Sequence, residues 1–132
     1  MDRARIRIFA KCLRAEVAAG RSFTCLITRD DELQRLNRQF LGKDYPTDVL
    51  SFPSGARDGM LGELAISVDR AAAQASENGH SLDDEIRILM LHGVLHLAGM
   101  DHEGDHGRMR RAEARWRKFF ELPAGLIERA RR

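Results

Sequence analysis

The stretch SLDDEIRILMLHGVLHLAGMDH, residues 81–102, decides how the rest of the chain must fold. Ser81-Leu82-Asp83-Asp84 opens like a capping box, with a hydroxyl placed to accept an amide proton of the first turn. Ile86, Leu89, Met90, Gly93, Val94 and Leu97 then fall on one stripe at helical spacing, and Ile88, Leu91 and Leu95 on another. A helix apolar nearly all round belongs at the centre of a core, so the pattern predicts a buried helix running to about residue 98. His92 and His96 lie inside it. There they are costly unless ligated or hydrogen-bonded.

Three of the chain's five histidines, His92, His96 and His102, sit in the last eleven residues of this stretch. Positions i and i+4 share one helix face, about one turn apart, so two imidazoles can reach one small ion. Gly99 permits a left-handed residue that ends the helix and turns the chain, which can bring His102 to the same point. Three neutral imidazoles and one open position form a catalytic zinc site, and one zinc ion per chain is expected. The same donors would also accept nickel, copper, cobalt or iron. The pattern H-x-x-x-H-x-x-G-x-x-H resembles the zinc helix of metzincin proteases, whose general-base Glu follows the first His. Here that position is Gly93, so a zinc peptidase lacks its proton acceptor. A metal site without it can still polarise a phosphate oxygen.

The chain around this helix has 132 residues, 43% hydrophobic and 32% charged, with a formal net charge of +2. That length and composition predict one globular domain over residues 1–132 with a real core. No apolar run approaches a membrane span, and no long apolar segment follows the charged start, so neither membrane anchor nor signal peptide is expected. Cys12 and Cys25 are too few and too far apart for a zinc pair, and are expected as buried thiols in a reducing cytoplasm. The charge is too small to argue for nucleic acid by itself. Its distribution says more, because Arg108, Arg111, Arg115 and Lys118 fall on one face of a helix predicted for residues 107–120. That stripe could track phosphates, or be a solvated face helped by a Glu113–Arg117 pair. Met109, Ala112, Trp116 and Phe119 would point inward from the same helix.

The remaining segments alternate. Residues 5–19 have helical spacing at Ile6, Phe9, Ala10, Leu13 and Val17, with Gly20 as a stop and a short initial strand at 6–9 as an option. Residues 23–28 read as a strand. Asp30 or Asp31 can cap a helix to residue 40 with Leu33, Leu36, Asn37 and Phe40 on one face. A loop at 42–47 leads to a strand at 49–52 that Pro53 ends, and residues 61–68 form a third strand. Asp69 can cap a helix to residue 77. Strands and helices without strict alternation predict an α+β fold: a small mixed sheet packed with about five helices around a central, buried metal-binding helix.

Three blocks together resemble the YbeY endoribonuclease family: HGVLHLAGMDH at 92–102, PTDVLSFP at 46–53 and LGELAIS at 61–67. The resemblance implies a bacterial, single-strand-specific, metal-dependent endoribonuclease. It implies action in ribosomal RNA processing, notably at the 3′ end of 16S rRNA, and in ribosome quality control. It also implies zinc on His92, His96 and His102, and single-stranded RNA, rRNA or ribosomal particles as partners, with no DNA and no membrane. The chain departs from the family at Leu41, where members commonly have Arg before the Gly-Lys-Asp loop; Arg38 and Lys43 are the candidates for that role. Glu63 replaces the usual Asp. The strand that often precedes the first helix is absent or reduced to 6–9, which leaves a sheet edge less protected.

Other roles stay open at this point. Asp101 could orient an imidazole, act as general base, or shape the turn. Glu63 could approach the metal water or be a solvated carboxylate. Ser51, with Thr47 and Asp48, could line a substrate cleft or serve the local turn and pleat. Tyr45 is the aromatic best placed for base stacking. His80 and His106 are expected at the surface. Beside the nuclease stands a ribosome- or RNA-associated assembly factor with a mainly structural metal and little nuclease activity. The open coordination position favours the enzyme, and Leu41 the assembly factor.

Overall fold

The structure, a computed structural model, describes residues 1–55, 59–100 and 104–130. Its elements are α1 (Arg3–Glu16), β1 (Ser22–Thr28), α2 (Asp30–Leu41), β2 (Val49–Pro53), β3 (Met60–Ser67), α3 (Val68–Asn78), α4 (Leu82–Leu97), α5 (Arg108–Phe119) and α6 (Leu126–Ala130). The α+β architecture is the one expected, with a sixth short helix beyond the expected five. β3 is the central strand of a mixed sheet ordered β1-β3-β2, parallel to β1 and antiparallel to β2.

Side-chain alternation along β3 splits the core in two. Leu64 and Ile66 join the large cluster with α4 and α1, while Ala65 packs with Leu33, Leu50, Leu36 and Phe52 under α2. Helix α4 is the axis of the molecule: Ile86, Leu89, Met90, Leu91, Val94 and Leu95 are all buried. Two glycines let it press onto the sheet. A Cβ built on Gly93 would lie 2.6 Å from Leu64 Cδ2, and one on Gly62 (φ +151°) 2.5 Å from the Phe52 carbonyl.

The helix ends were legible in part. Ser81 caps α4, accepting from the Asp84 amide at 3.1 Å, and Gly99 adopts the expected left-handed turn at φ +94°. The caps of α2 and α3 differ from expectation. Arg29 is the N-cap of α2 without a side-chain bond, and Asp69 reaches across to accept from the Asp30 amide at 2.9 Å. Ser67 caps α3 instead, accepting from the Arg70 amide and donating to Asp30 at 2.6 Å. Tertiary proximity supplies these caps, and a linear reading cannot see it.

Other expectations are corrected. Residues 6–9 are helical, because the Asp2 cap starts α1 early and turns Ile6 and Phe9 onto the core. Phe40 is 58% exposed, touching Phe52 edge-on. At the end of α5, Phe120 packs inward on Phe9 and Trp116, and Phe119 is exposed. His80 is largely enclosed, its Nε2 2.6 Å from Glu85 Oε1, where Arg129 also pairs bidentately with the fully buried Glu85 carboxylate at 2.7 and 2.9 Å.

Cys12 is exposed, because it lies on the outer face of α1, while Cys25 is half-buried in β1. Burial pushes the Cys25 thiol up to about 12, so at pH 8 only roughly one part in ten thousand is thiolate, the reactive form. An aromatic disulfide reagent should therefore titrate one thiol quickly in the native protein and the second only after denaturation. Two fast thiols would contradict the packing of β1.

Candidate metal centre

Helix α4 sets His92 and His96 one turn apart, with ring centroids 4.8 Å from each other and planes at 76°. His92 is 8% exposed; His96 is half-buried, nearer the end of the helix. His96 Nδ1 lies 3.0 Å from the Met100 carbonyl, which the Gly99 turn brings back over the last turn of the helix. A carbonyl can only accept, so Nδ1 carries the proton and Nε2 the lone pair. His92 Nδ1 lies 2.8 Å from Glu113 Oε2, which fixes the same tautomer by the same logic. In their neutral form two imidazoles oriented in this way through Nδ1 direct their lone pairs from Nε2 and suit a divalent transition metal. Asp101 and His102 fall outside the described residues, and among the described residues no three His, Cys, Asp or Glu side chains are grouped so that they could hold a metal ion.

Glu113, which meets His92 Nδ1, is the residue of this site that the sequence does not reveal. It does not pair with Arg117 on a solvated face; it is 1% exposed and turned inward, while Arg117 pairs with Glu128 at 3.0 and 3.1 Å. The available signal was its register: Glu113 follows Ala112 between Met109 and Trp116, on the inward side of α5. A carboxylate on an apolar stripe demands a partner.

The remaining candidates are dispersed. Glu63 is exposed on the α2 side of the sheet, beside Thr24, Phe40, Phe52 and Ala65, while its neighbour Leu64 packs on Gly93 of α4. The structure does not bring it to the histidines. Ser51 does touch α4: its Oγ donates to the Gly93 carbonyl at 3.4 Å, a bond that ties β2 to the helix. Arg38, Lys43 and Tyr45 stand exposed at the end of α2 and in the loop that follows, where Arg38 meets Asp44 at 3.5 Å. Buried Asn37 holds that loop, donating to the Tyr45 carbonyl at 2.9 Å. Leu41 is 51% exposed beside them. Thr47 and Asp48 serve the turn: Asp48 accepts from the Val49 amide at 2.8 Å and from Gln74 at 3.2 Å. Arg108, Arg111, Arg115 and Lys118 form the exposed face of α5, the helix whose inner face carries Glu113. His106 is exposed, as expected.

Known proteins are similar to this chain in sequence and fold. The family model for Endoribonuclease YbeY matches residues 3–121. Proteins named Endoribonuclease YbeY are similar along most of the chain. One from Solibacter usitatus is 60% identical over 129 residues, covering 98% of this chain and 86% of the relative. One from Koribacter versatilis is 55% identical, covering 88% and 77%. Among solved structures, the solution structure of a Thermotoga maritima protein superposes with a TM-score of 0.63 at 28% identity, covering 88% of this chain and 81% of that one.

Proposed function

The chain belongs to the YbeY endoribonuclease family, and from that membership we propose that it is a metal-dependent endoribonuclease cleaving single-stranded RNA, with one zinc ion held by His92, His96 and His102. The observation that carries the metal is the matched pair of oriented imidazoles: Nδ1 of His92 on Glu113 and Nδ1 of His96 on the Met100 carbonyl. When bound, zinc would supply Lewis-acid polarisation of a phosphodiester oxygen. The protein's own groups do the rest. His92 and His96 present Nε2 lone pairs in fixed directions. Arg108, Arg111, Arg115 and Lys118 offer a row of cations for backbone phosphates. Lys43 and Arg38 can hold a further phosphate, and Tyr45 offers a face for an unstacked base. Asp101, next to the third ligand, is assigned the orientation of an imidazole or the handling of a proton.

The proposed substrate is ribosomal RNA, in maturation of the 16S 3′ end and in ribosome quality control. The family resemblance supports that assignment; no single residue does. Among the described residues no helix is long and apolar enough to cross a membrane. With Cys12 and Cys25 both free, the proposed compartment is the reducing cytoplasm.

The test is cleavage of an unstructured RNA by highly purified protein before and after chelation, with metal content measured on the same samples. We expect one zinc per chain, and activity that chelation removes and added zinc restores. Full cleavage by metal-free protein would overturn the reading. Stoichiometric metal without cleavage would transfer support to an assembly role.

A further inference from the structure

We propose that Glu113 is the positioning residue of the metal centre and that α6 is the clamp that fixes it. The inference rests on the proposed metal site but concerns residues outside the histidine motif. Glu113 uses its two oxygens separately: Oε2 receives His92 Nδ1 at 2.8 Å and Oε1 receives the Ile127 amide at 2.8 Å. That amide lies in the first turn of α6, where N–H groups have no partner within the helix. The carboxylate cannot rotate away from His92 without orphaning a buried amide. Gly125 closes the other side, where a built Cβ would overlap the Glu113 carboxyl group. Helix α6 is itself tied down twice, by Glu128 to Arg117 and by Arg129 to the buried Glu85 of α4. The C-terminal helix thus holds an acceptor in front of Nδ1, and an acceptor there keeps the Nε2 lone pair directed at the ion.

Glu113→Gln separates positioning from mere packing. The amide has nearly the same shape, and its oxygen can still accept from Ile127. Its NH2 group would then face His92 and donate to Nδ1, which moves the imidazole proton to Nε2 and blocks ligation. Two readouts apply: the His92 tautomer in metal-free protein, from nitrogen-15 NMR of the imidazoles, and zinc affinity by competition with a chromophoric chelator. We expect the Nδ1–H tautomer in the unaltered protein, the Nε2–H tautomer in the variant, and zinc binding weakened about 10- to 100-fold. Gly125→Ala, which leaves every polar group in place but displaces the carboxylate, should weaken zinc less, by about 3- to 10-fold. An unchanged tautomer and zinc affinity in Glu113→Gln would overturn the proposal. If that variant does not fold, unchanged zinc affinity in folded Gly125→Ala would overturn it. Failure of the unaltered protein to bind zinc would refute the metal assignment instead, and the metal-free tautomer would still decide the role of Glu113.

Discussion

Gly93→Glu should unfold the protein and should not turn it into a peptidase. The substitution completes the metzincin-like string, since it puts a carboxylate directly after the first motif histidine. In this fold that position looks the wrong way. The Gly93 Cα faces the sheet, and a built Cβ lies 2.6 and 3.1 Å from the two methyls of Leu64. Leu64 is 2% exposed in the central strand, so it has nowhere to withdraw. Overpacking alone costs about 1–3 kcal/mol, the range expected for Gly93→Ala. Glutamate adds an unpaired carboxylate in an apolar interface, a further several kcal/mol. Against a total stability of about 5–15 kcal/mol, the sum leaves little or no folded protein. Circular dichroism would show no cooperative melting transition for Gly93→Glu, and a Tm lowered by roughly 3–9 °C for Gly93→Ala. A Gly93→Glu protein that melts like the unaltered one, or that hydrolyses peptides, would mean that α4 does not seat on β3 as described.

The same helix shows what a sequence can reveal and where it stops. Its stripes, its Ser81 cap and its Gly99 turn are local in the chain, and all of them could be read from spacing. So could the pairing of His92 with His96. What could not be read is each contact whose partner is far along the chain. Glu113 lies 21 residues from His92, and its sequence neighbours offered Arg117 as a plausible but wrong partner. Arg129 lies 44 residues from Glu85, the buried carboxylate that also meets His80. Asp69 serves α2 and not its own helix for the same reason. Short α6 has too few residues for a periodic signal, yet it holds the amide that fixes Glu113. The open reading of Glu63 has a different origin. Strand alternation says that adjacent residues face opposite ways, but only the structure says that Leu64 takes the α4 side.

His92→Ala and His96→Ala should abolish metal binding equally yet destabilise unequally. Either change removes one imidazole of the proposed three-histidine site, so zinc should fall from the expected one per chain to near zero. RNA cleavage should drop at least about a thousand-fold, the rate equivalent of several kcal/mol of lost Lewis-acid stabilisation. Stability separates the two because their Nδ1 partners differ. His96 leaves behind the carbonyl of half-buried Met100, at about 1 kcal/mol. His92 leaves behind Glu113, a carboxylate 1% exposed that among the described residues keeps the Ile127 backbone amide as its other hydrogen-bond partner. Stranding that charge costs roughly 2–4 kcal/mol. Melting both variants against metal-free unaltered protein removes the stabilisation that bound zinc itself provides. The expected Tm losses are about 3 °C for His96→Ala and about 6–12 °C for His92→Ala. Equal losses would sink the coupling of His92 to Glu113, and zinc retained at full occupancy by either variant would sink the ligand assignment. The asymmetry also predicts a rescue. Glu113→Gln combined with His92→Ala should recover part of the lost Tm, because the stranded group is then neutral, while zinc binding stays absent.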